Sequence, residues 1–259
     1  MRRVPVGTIL LALPLLLFLV LPLAALLARG VWPRLEGDAL QAVLVSLRTT
    51  AISTGLILVL GTPVARLIGG RPWPGRGIVE GLVVFPAVLP PAAAGLALLL
   101  AFGRRGMVGA TLDRIGISLA FSAGAVVLAQ VYVAVPFYVR PLAAALRGVG
   151  DELREAAALD GATRGAIFRR IDLPLVRGPL LAALTLAWAR ALGEFGATVL
   201  FAGNRVGETQ TLPLAVSLGF EADLDVAVGL ATLLLAVALA VLAISALLGR
   251  AGERERGGH

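Results

Sequence analysis

The stretch RGVGDELREAAALDGATRGAIFRRIDLPLVR, residues 147–177, lies between two long apolar runs and decides how the chain is read. Asp151 is a good N-cap for a helix reaching Leu159, because a short acceptor side chain satisfies an otherwise orphaned backbone N–H there. Gly161 is placed to end that helix in the left-handed conformation that glycine adopts without strain. A second short helix is expected from Thr163 to about Arg170, with Pro174 breaking the chain before the next apolar run. The stretch reads as a compact helix–turn–helix hairpin at a membrane surface. Ala156, Ala157 and Ala158 leave a shallow groove in which another protein can pack closely. Arg164, Arg169 and Arg170 equally suit a hairpin resting on anionic lipid headgroups, and spacing alone leaves both readings open.

The runs on either side have membrane-spanning length. A helix needs roughly 20 apolar residues to cross about 30 Å of hydrocarbon. Residues 115–140 and 178–203 flank the hairpin and meet that length, as do 4–28, 42–65, 80–103 and 226–249. Each is expected to be a helix, since an isolated span must satisfy its own backbone hydrogen bonds. The period-two alternation of a membrane β-barrel is absent. Residues 1–259 therefore read as a single all-α integral membrane domain with six transmembrane helices. Arg2 and Arg3 ahead of the first run resemble the start of a secretory signal. The run is longer than the roughly 7–15 apolar residues of a signal, so a retained anchor is expected, with Pro5, Pro14 and Pro22 as tolerated kinks.

Composition agrees. Hydrophobic residues make up 58% of the chain and charged residues 15%, with mean hydropathy +0.92; a soluble domain carries about 25% charge. There is too little polar surface to cover a water-exposed globule, which excludes a soluble enzyme, a disordered chain and a disulfide-stapled domain. The chain has no cysteine, and its one histidine is the terminal His259. That removes thiol chemistry, zinc–thiolate sites, Ser-His dyads and His-ligated metals. All 23 basic residues are arginine, so the lysine of a nucleotide-binding P-loop is missing and any ATP-driven step needs a separate subunit. An intramembrane enzyme finds no catalytic inventory here; a structural membrane scaffold is the other non-transport reading.

An even number of spans puts both termini on one side. With the termini inside, fifteen arginines fall on the inner side and seven on the outer, and the excess marks the cytoplasm. The formal charge of +7 then lies wholly on the cytoplasmic face, where it reports orientation and a docking surface and gives no support to nucleic-acid binding.

A charge within a span is a functional candidate by default. Arg190 and Glu194 are spaced to share a helix face and pair; the pair either locks two helices or lines a pathway near its gate. Pro90-Pro91 interrupts helical hydrogen bonding in the third run, as a packing kink or as backbone exposed to a cavity. Ser46, Thr49, Thr50, Ser53 and Thr54 place hydroxyls along the second run, where such residues glue helices together. Gln210 and Thr211 are expected on an outer loop folding back toward the pore mouth.

Two sets of residues resemble a known family. Glu155-Ala156-Ala157, three residues, Gly161, nine residues, and Ile171-Asp172-Leu173-Pro174 resemble the EAA loop of ABC importer permeases, a coupling helix that docks into a cleft of a cytoplasmic ATPase. The resemblance implies that Glu155, Ala156, Ala157, Asp160, Gly161, Ile171, Leu173 and Pro174 form the coupling surface. The stretches 85–95, 189–204 and 207–215, with Gly103-Arg104-Arg105-Gly106, are similar to the molybdate permease branch, close to the sulfate/thiosulfate branch. This second resemblance implies a type I ABC importer permease fold in the cell inner membrane and a homodimer. It also implies two ATPase subunits that carry ATP and Mg, and an extracytoplasmic binding protein delivering molybdate or tungstate, with sulfate or thiosulfate as the alternative. No cofactor is implied on this chain. Pro90, Pro91, Arg190, Glu194 and Thr198 are the expected pathway residues.

Overall fold

The computed structural model describes residues 6–30 and 37–254; Arg2, Arg3, Pro5 and His259 lie outside the described residues. The described chain is built from helices: α1 (Val6–Ala28), α2 (Gly37–Gly69), α3 (Arg76–Val88), α4 (Pro91–Phe102), α5 (Gly109–Arg114), α6 (Ala123–Arg147), α7 (Asp151–Leu159), α8 (Arg164–Ile167), α9 (Leu173–Leu175), α10 (Arg177–Leu192), α11 (Gly196–Phe201), α12 (Leu212–Ala222) and α13 (Leu224–Arg254). A π turn, Phe168–Asp172, joins α8 to α9. Among the described residues, four helices are long and apolar enough to cross a membrane: α1, α2, α6 and α13. Two further crossings exist only if bent pairs are counted as spans, α3 with α4 at 117°, and Arg164–Leu175 with α10 at 77°.

The third apolar run, expected as one span over 80–103, is therefore broken, and local chemistry explains where. The residue before a proline is pushed out of the helical region toward extended backbone. Leu89 precedes Pro90, and Pro90 precedes Pro91; both are extended, with ψ of 136° and 138°. Pro91 then takes the first position of α4, where its missing N–H removes no bond. Two successive extended residues make a corner, not a kink. The fifth run, expected over 178–203, is also interrupted: α10 ends at Leu192 and α11 starts at Gly196.

The fourth run begins later than the expected residue 115. Ser122 caps α6, its Oγ accepting from the Ala125 N–H at 3.3 Å, and Phe121 ahead of it has a left-handed φ of 59°. The Phe121 N–H bonds the Phe201 carbonyl at 3.1 Å instead of continuing a helix. At its other end α6 continues past Arg140 to Arg147.

Helix α6 is the centre of the fold. Its face of Val126, Ala129, Val133 packs on α4 and α11, while Tyr138, Val139, Leu142 and Ala143 pack on α2 and α10. Helices α2 and α6 run side by side and parallel, since Ser53 meets Gln130, Thr62 meets Tyr138 and Gly69 abuts Ala143. A separate cluster of Ala42, Leu212, Ala215 and Leu230 joins α2 to α12 and α13. Helix α1 is peripheral, with no part of its apolar window buried.

Candidate coupling surface and translocation pathway

The hairpin forms as a helix–turn–helix, with two corrections. The N-cap of α7 is Gly150, not Asp151; no side chain caps it. Asp151 sits one position inside, where a carboxylate still favours the positive end of the helix dipole, and takes Arg154 at 3.1 Å. Gly161 behaves as read. Its φ is +83°, and the bonds Ala162 N–H to Ala157 O and Gly161 N–H to Ala158 O make the Schellman closure. Thr163 caps α8 through Oγ1, which accepts from the Ala166 N–H at 3.3 Å. Pro174 does not break the chain. The backbone widens into the π turn just ahead of it, one of the adjustments by which helices absorb a proline, and the bend falls at Val176.

Of the motif residues, Glu155, Ala156, Asp160, Gly161 and Pro174 are exposed, and Ala157, Ile171 and Leu173 are half-buried. Leu159 beside them is 89% exposed, an apolar side chain with nothing of this chain over it. Glu155 is ion-paired to Arg71 of the connection after α2. Between that connection and the hairpin lies a cleft of about 820 Å³, lined by Arg66, Arg71, Arg154, Glu155, Leu159 and Arg164 among others. The Arg66 guanidinium stacks 4.0 Å from the Phe168 ring centroid, anchoring the π turn to the end of α2 through a cation–π contact. Arg154 joins three segments, with bonds to Asp172, Asp151 and the Leu146 carbonyl.

The pair of Arg190 and Glu194 forms. Arg190 Nη2 is 2.8 Å from Glu194 Oε2, with Glu194 1% exposed and Arg190 27%. The two do not share a continuous helix, because α10 ends between them. Glu194 Oε1 accepts from the Ala197 N–H at 2.7 Å. One carboxylate thus holds the last turn of α10 and caps the first turn of α11. Thr198 is fully buried, and its Oγ1 has no hydrogen-bond partner among the described residues.

The two broken runs meet at their breaks. A Cβ on Gly196 would lie 2.5 Å from Pro91 Cβ, and one on Gly95 would lie 2.8 Å from both Cα and O of Ala197. Pro91, Gly95, Gly196 and Ala197 therefore bring α4 and α11 together backbone to backbone, as small residues do in membranes. Pro90 stands at the corner itself.

The hydroxyls of α2 face protein. Gln130 Nε2 donates to Thr49 Oγ1 and Thr50 Oγ1 at 3.3 Å each, and Ser53 Oγ donates to Gln130 Oε1 at 3.0 Å. Ser46 Oγ accepts from the Leu212 N–H at 2.7 Å, fixing the start of α12. Thr54 Oγ1 has no partner among the described residues. Gln210 and Thr211 are buried where the connection after α11 turns back against α2. Sequence reading missed Gln130, Tyr138 and Arg154. Gln130 carried a signal, an amide in the middle of an apolar run; Arg154 was one arginine among several.

The chain matches the model of the binding-protein-dependent transport system inner membrane component family over residues 57–252. It is 43% identical over 239 residues to the molybdenum transport system permease protein ModB of Mycobacterium tuberculosis, covering 89% of this chain and 90% of that one. Against two proteins of Escherichia coli K12 it is 39% identical to ModB over 85% of this chain and 96% of that one, and 36% identical to the sulfate transport system permease protein CysW over 74% and 67%. In fold it is similar to a bacterial ABC transporter involved in the import of alginate, with a TM-score of 0.73, 18% identity, and coverage of 95% of this chain and 93% of that one. The helical architecture, with its exposed hairpin between the fourth and fifth apolar runs, is that of ABC importer permeases. The chain belongs to the family of binding-protein-dependent transport system inner membrane components.

Proposed function

We propose that this chain is the membrane subunit of an ATP-driven importer for molybdate, with tungstate as a second substrate. The observation that carries the reading is the similarity to molybdenum permeases over nine-tenths of both chains. Residues 1–259 act as one permease domain in the inner membrane, with both termini in the cytoplasm. Two copies form the pathway, and an extracytoplasmic binding protein delivers the oxyanion. Two ABC ATPase subunits, which carry ATP and Mg, dock on the surface of Glu155, Ala156, Ala157, Asp160, Gly161, Ile171, Leu173 and Pro174. The exposure of Glu155, Ala156 and Leu159 supports this, since it leaves all three within reach of a docking protein.

In this mechanism closure of the ATPases displaces the hairpin, and the spans switch between two packings, one open to each side. The moving parts are the interrupted runs, because a helix already broken at Pro90-Pro91 and at residues 193–195 changes angle without losing further hydrogen bonds. Arg190 and Glu194 keep the break in the fifth run in register. Their opposite charges cancel and leave the path near neutral, which suits transit of a dianion better than tight binding. Thr198 supplies a free hydroxyl beside them.

Reconstitution with the ATPase and binding protein tests the reading. ATP-dependent uptake of molybdate is expected, competed by tungstate and unaffected by excess sulfate. Competition by sulfate at equal concentration would move the assignment to the sulfate branch.

A further inference from the structure

Among the described residues none of those in α7 is buried, so apolar packing does not set the position of this helix on the body of the protein. The connection from α6 is only Gly148-Val149-Gly150; Val149 is anchored in the core, whereas Gly150, next to α7, has open space around it and no side chain to restrain it. One side chain of α7 reaches inward. The Arg154 guanidinium donates from Nε to Asp172 Oδ1 at 2.8 Å, from Nη2 to the Leu146 carbonyl at 2.8 Å and from Nη1 to Asp151 Oδ1 at 3.1 Å. Those acceptors belong to the π turn, the last turn of α6 and the first turn of α7. Asp172 is 9% exposed and Arg154 22%, so this junction is shielded. The other tie, Arg71 to Glu155, is exposed on both sides at 73% and 60% and is weak for that reason.

We propose that Arg154 is the positioning residue that makes the end of α6, the helix α7 and the turn leading into α10 move as one body. Closure of the docked ATPases then reaches the fourth and fifth runs together. The proposal rests on the coupling role given to the hairpin under the proposed function. The chemistry needs arginine. A planar guanidinium presents its N–H groups in a fixed fork and serves three acceptors in different directions, whereas an ammonium on a flexible stem is a point charge without that geometry. Asp172 is the anchor, a shielded carboxylate whose charge Arg154 answers.

The test uses the full complex with its ATPase and binding protein in proteoliposomes, reading ATPase co-purification and molybdate transported per ATP hydrolysed. Arg154→Lys is expected to keep the ATPase bound while transport per ATP falls about fivefold or more, the lower range of ordinary coupling effects. Asp172→Asn, which keeps an acceptor oxygen but loses the charge, is expected to fall in the same direction by less. Unchanged transport per ATP in Arg154→Lys with the ATPase bound overturns the proposal. Loss of the ATPase from both variants overturns it too, because Arg154 would then serve docking alone. If the lysine variant does not assemble, the asparagine variant decides by the same ratio. Failure of the coupling role itself is read separately: Gly161→Leu, strained at φ +83°, would retain both ATPase and transport. Failure of the substrate assignment appears in the wild-type complex before any variant is measured.

Discussion

The α2–α6 seam and the α4–α11 seam hold the same bundle by opposite means. The first is laced by side-chain hydrogen bonds through Gln130 and Tyr138. The second has bare backbone pressed against backbone at Gly95 and Gly196, steadied by the Glu194 carboxylate at its edge. The laced seam is the more forgiving. Thr49 Oγ1 also reaches the Val45 carbonyl at 2.8 Å, and Ser53 Oγ the Thr50 carbonyl at 3.0 Å, so these two hydroxyls keep an acceptor on their own helix if Gln130 is lost. The bare seam has no such reserve, because a clash with main-chain atoms is not relieved by turning a side chain.

That contrast sets the order of effects. Arg190→Met should be the most damaging, since it leaves the Glu194 carboxylate buried without its counter-charge, a loss of about 3–5 kcal/mol for one partner of a buried pair. Detergent-unfolding titrations measure it, and adding Glu194→Gln should recover most of the loss; no recovery would mean that the charge is not the cause. Gly95→Val comes next at about 1–3 kcal/mol from overpacking, read as a shift in the same titration and a loss of the monodisperse chromatographic peak. A wild-type midpoint would show that α4 and α11 part easily. Gln130→Leu should be mildest, about 1 kcal/mol, the scale of interhelical hydrogen bonds in membranes. If it exceeds the glycine variant, the ranking of the two seams is reversed.

The features readable in advance were those carried by short-range chemistry. Long uncharged runs marked the apolar helices, Gly161 marked the end of α7, and Glu155 to Pro174 marked the hairpin and its family. Pro90-Pro91 located the corner, but its 117° turn depends on α4 finding Gly196 and Ala197, about a hundred residues further along, and no local pattern carries that. The hydroxyls of α2 were readable as glue; their partner Gln130 lies 77 to 81 residues away. Arg190 and Glu194 were readable as a pair, whereas the break between them was not, because i to i+4 spacing suits a continuous helix equally well. Arg154 escaped because its three acceptors come from segments that only the folded turn assembles.

The parallel run of α2 and α6 also has a consequence for biosynthesis. Two parallel neighbours cannot be joined by a short turn, and here all of α3, α4 and α5 intervenes. At about 5–20 residues per second of synthesis, the 77 residues between Ser53 and Gln130 impose a wait of roughly 4–15 seconds. Throughout it α2 is already in the bilayer with its hydroxyl face unmatched. The bonds from Thr49 and Thr62 to the Val45 and Leu58 carbonyls keep that face quiet for the interval. The nascent chain thereby carries its own insulation, keeps it in the finished fold, and adds Gln130 and Tyr138 to it when the fourth span arrives.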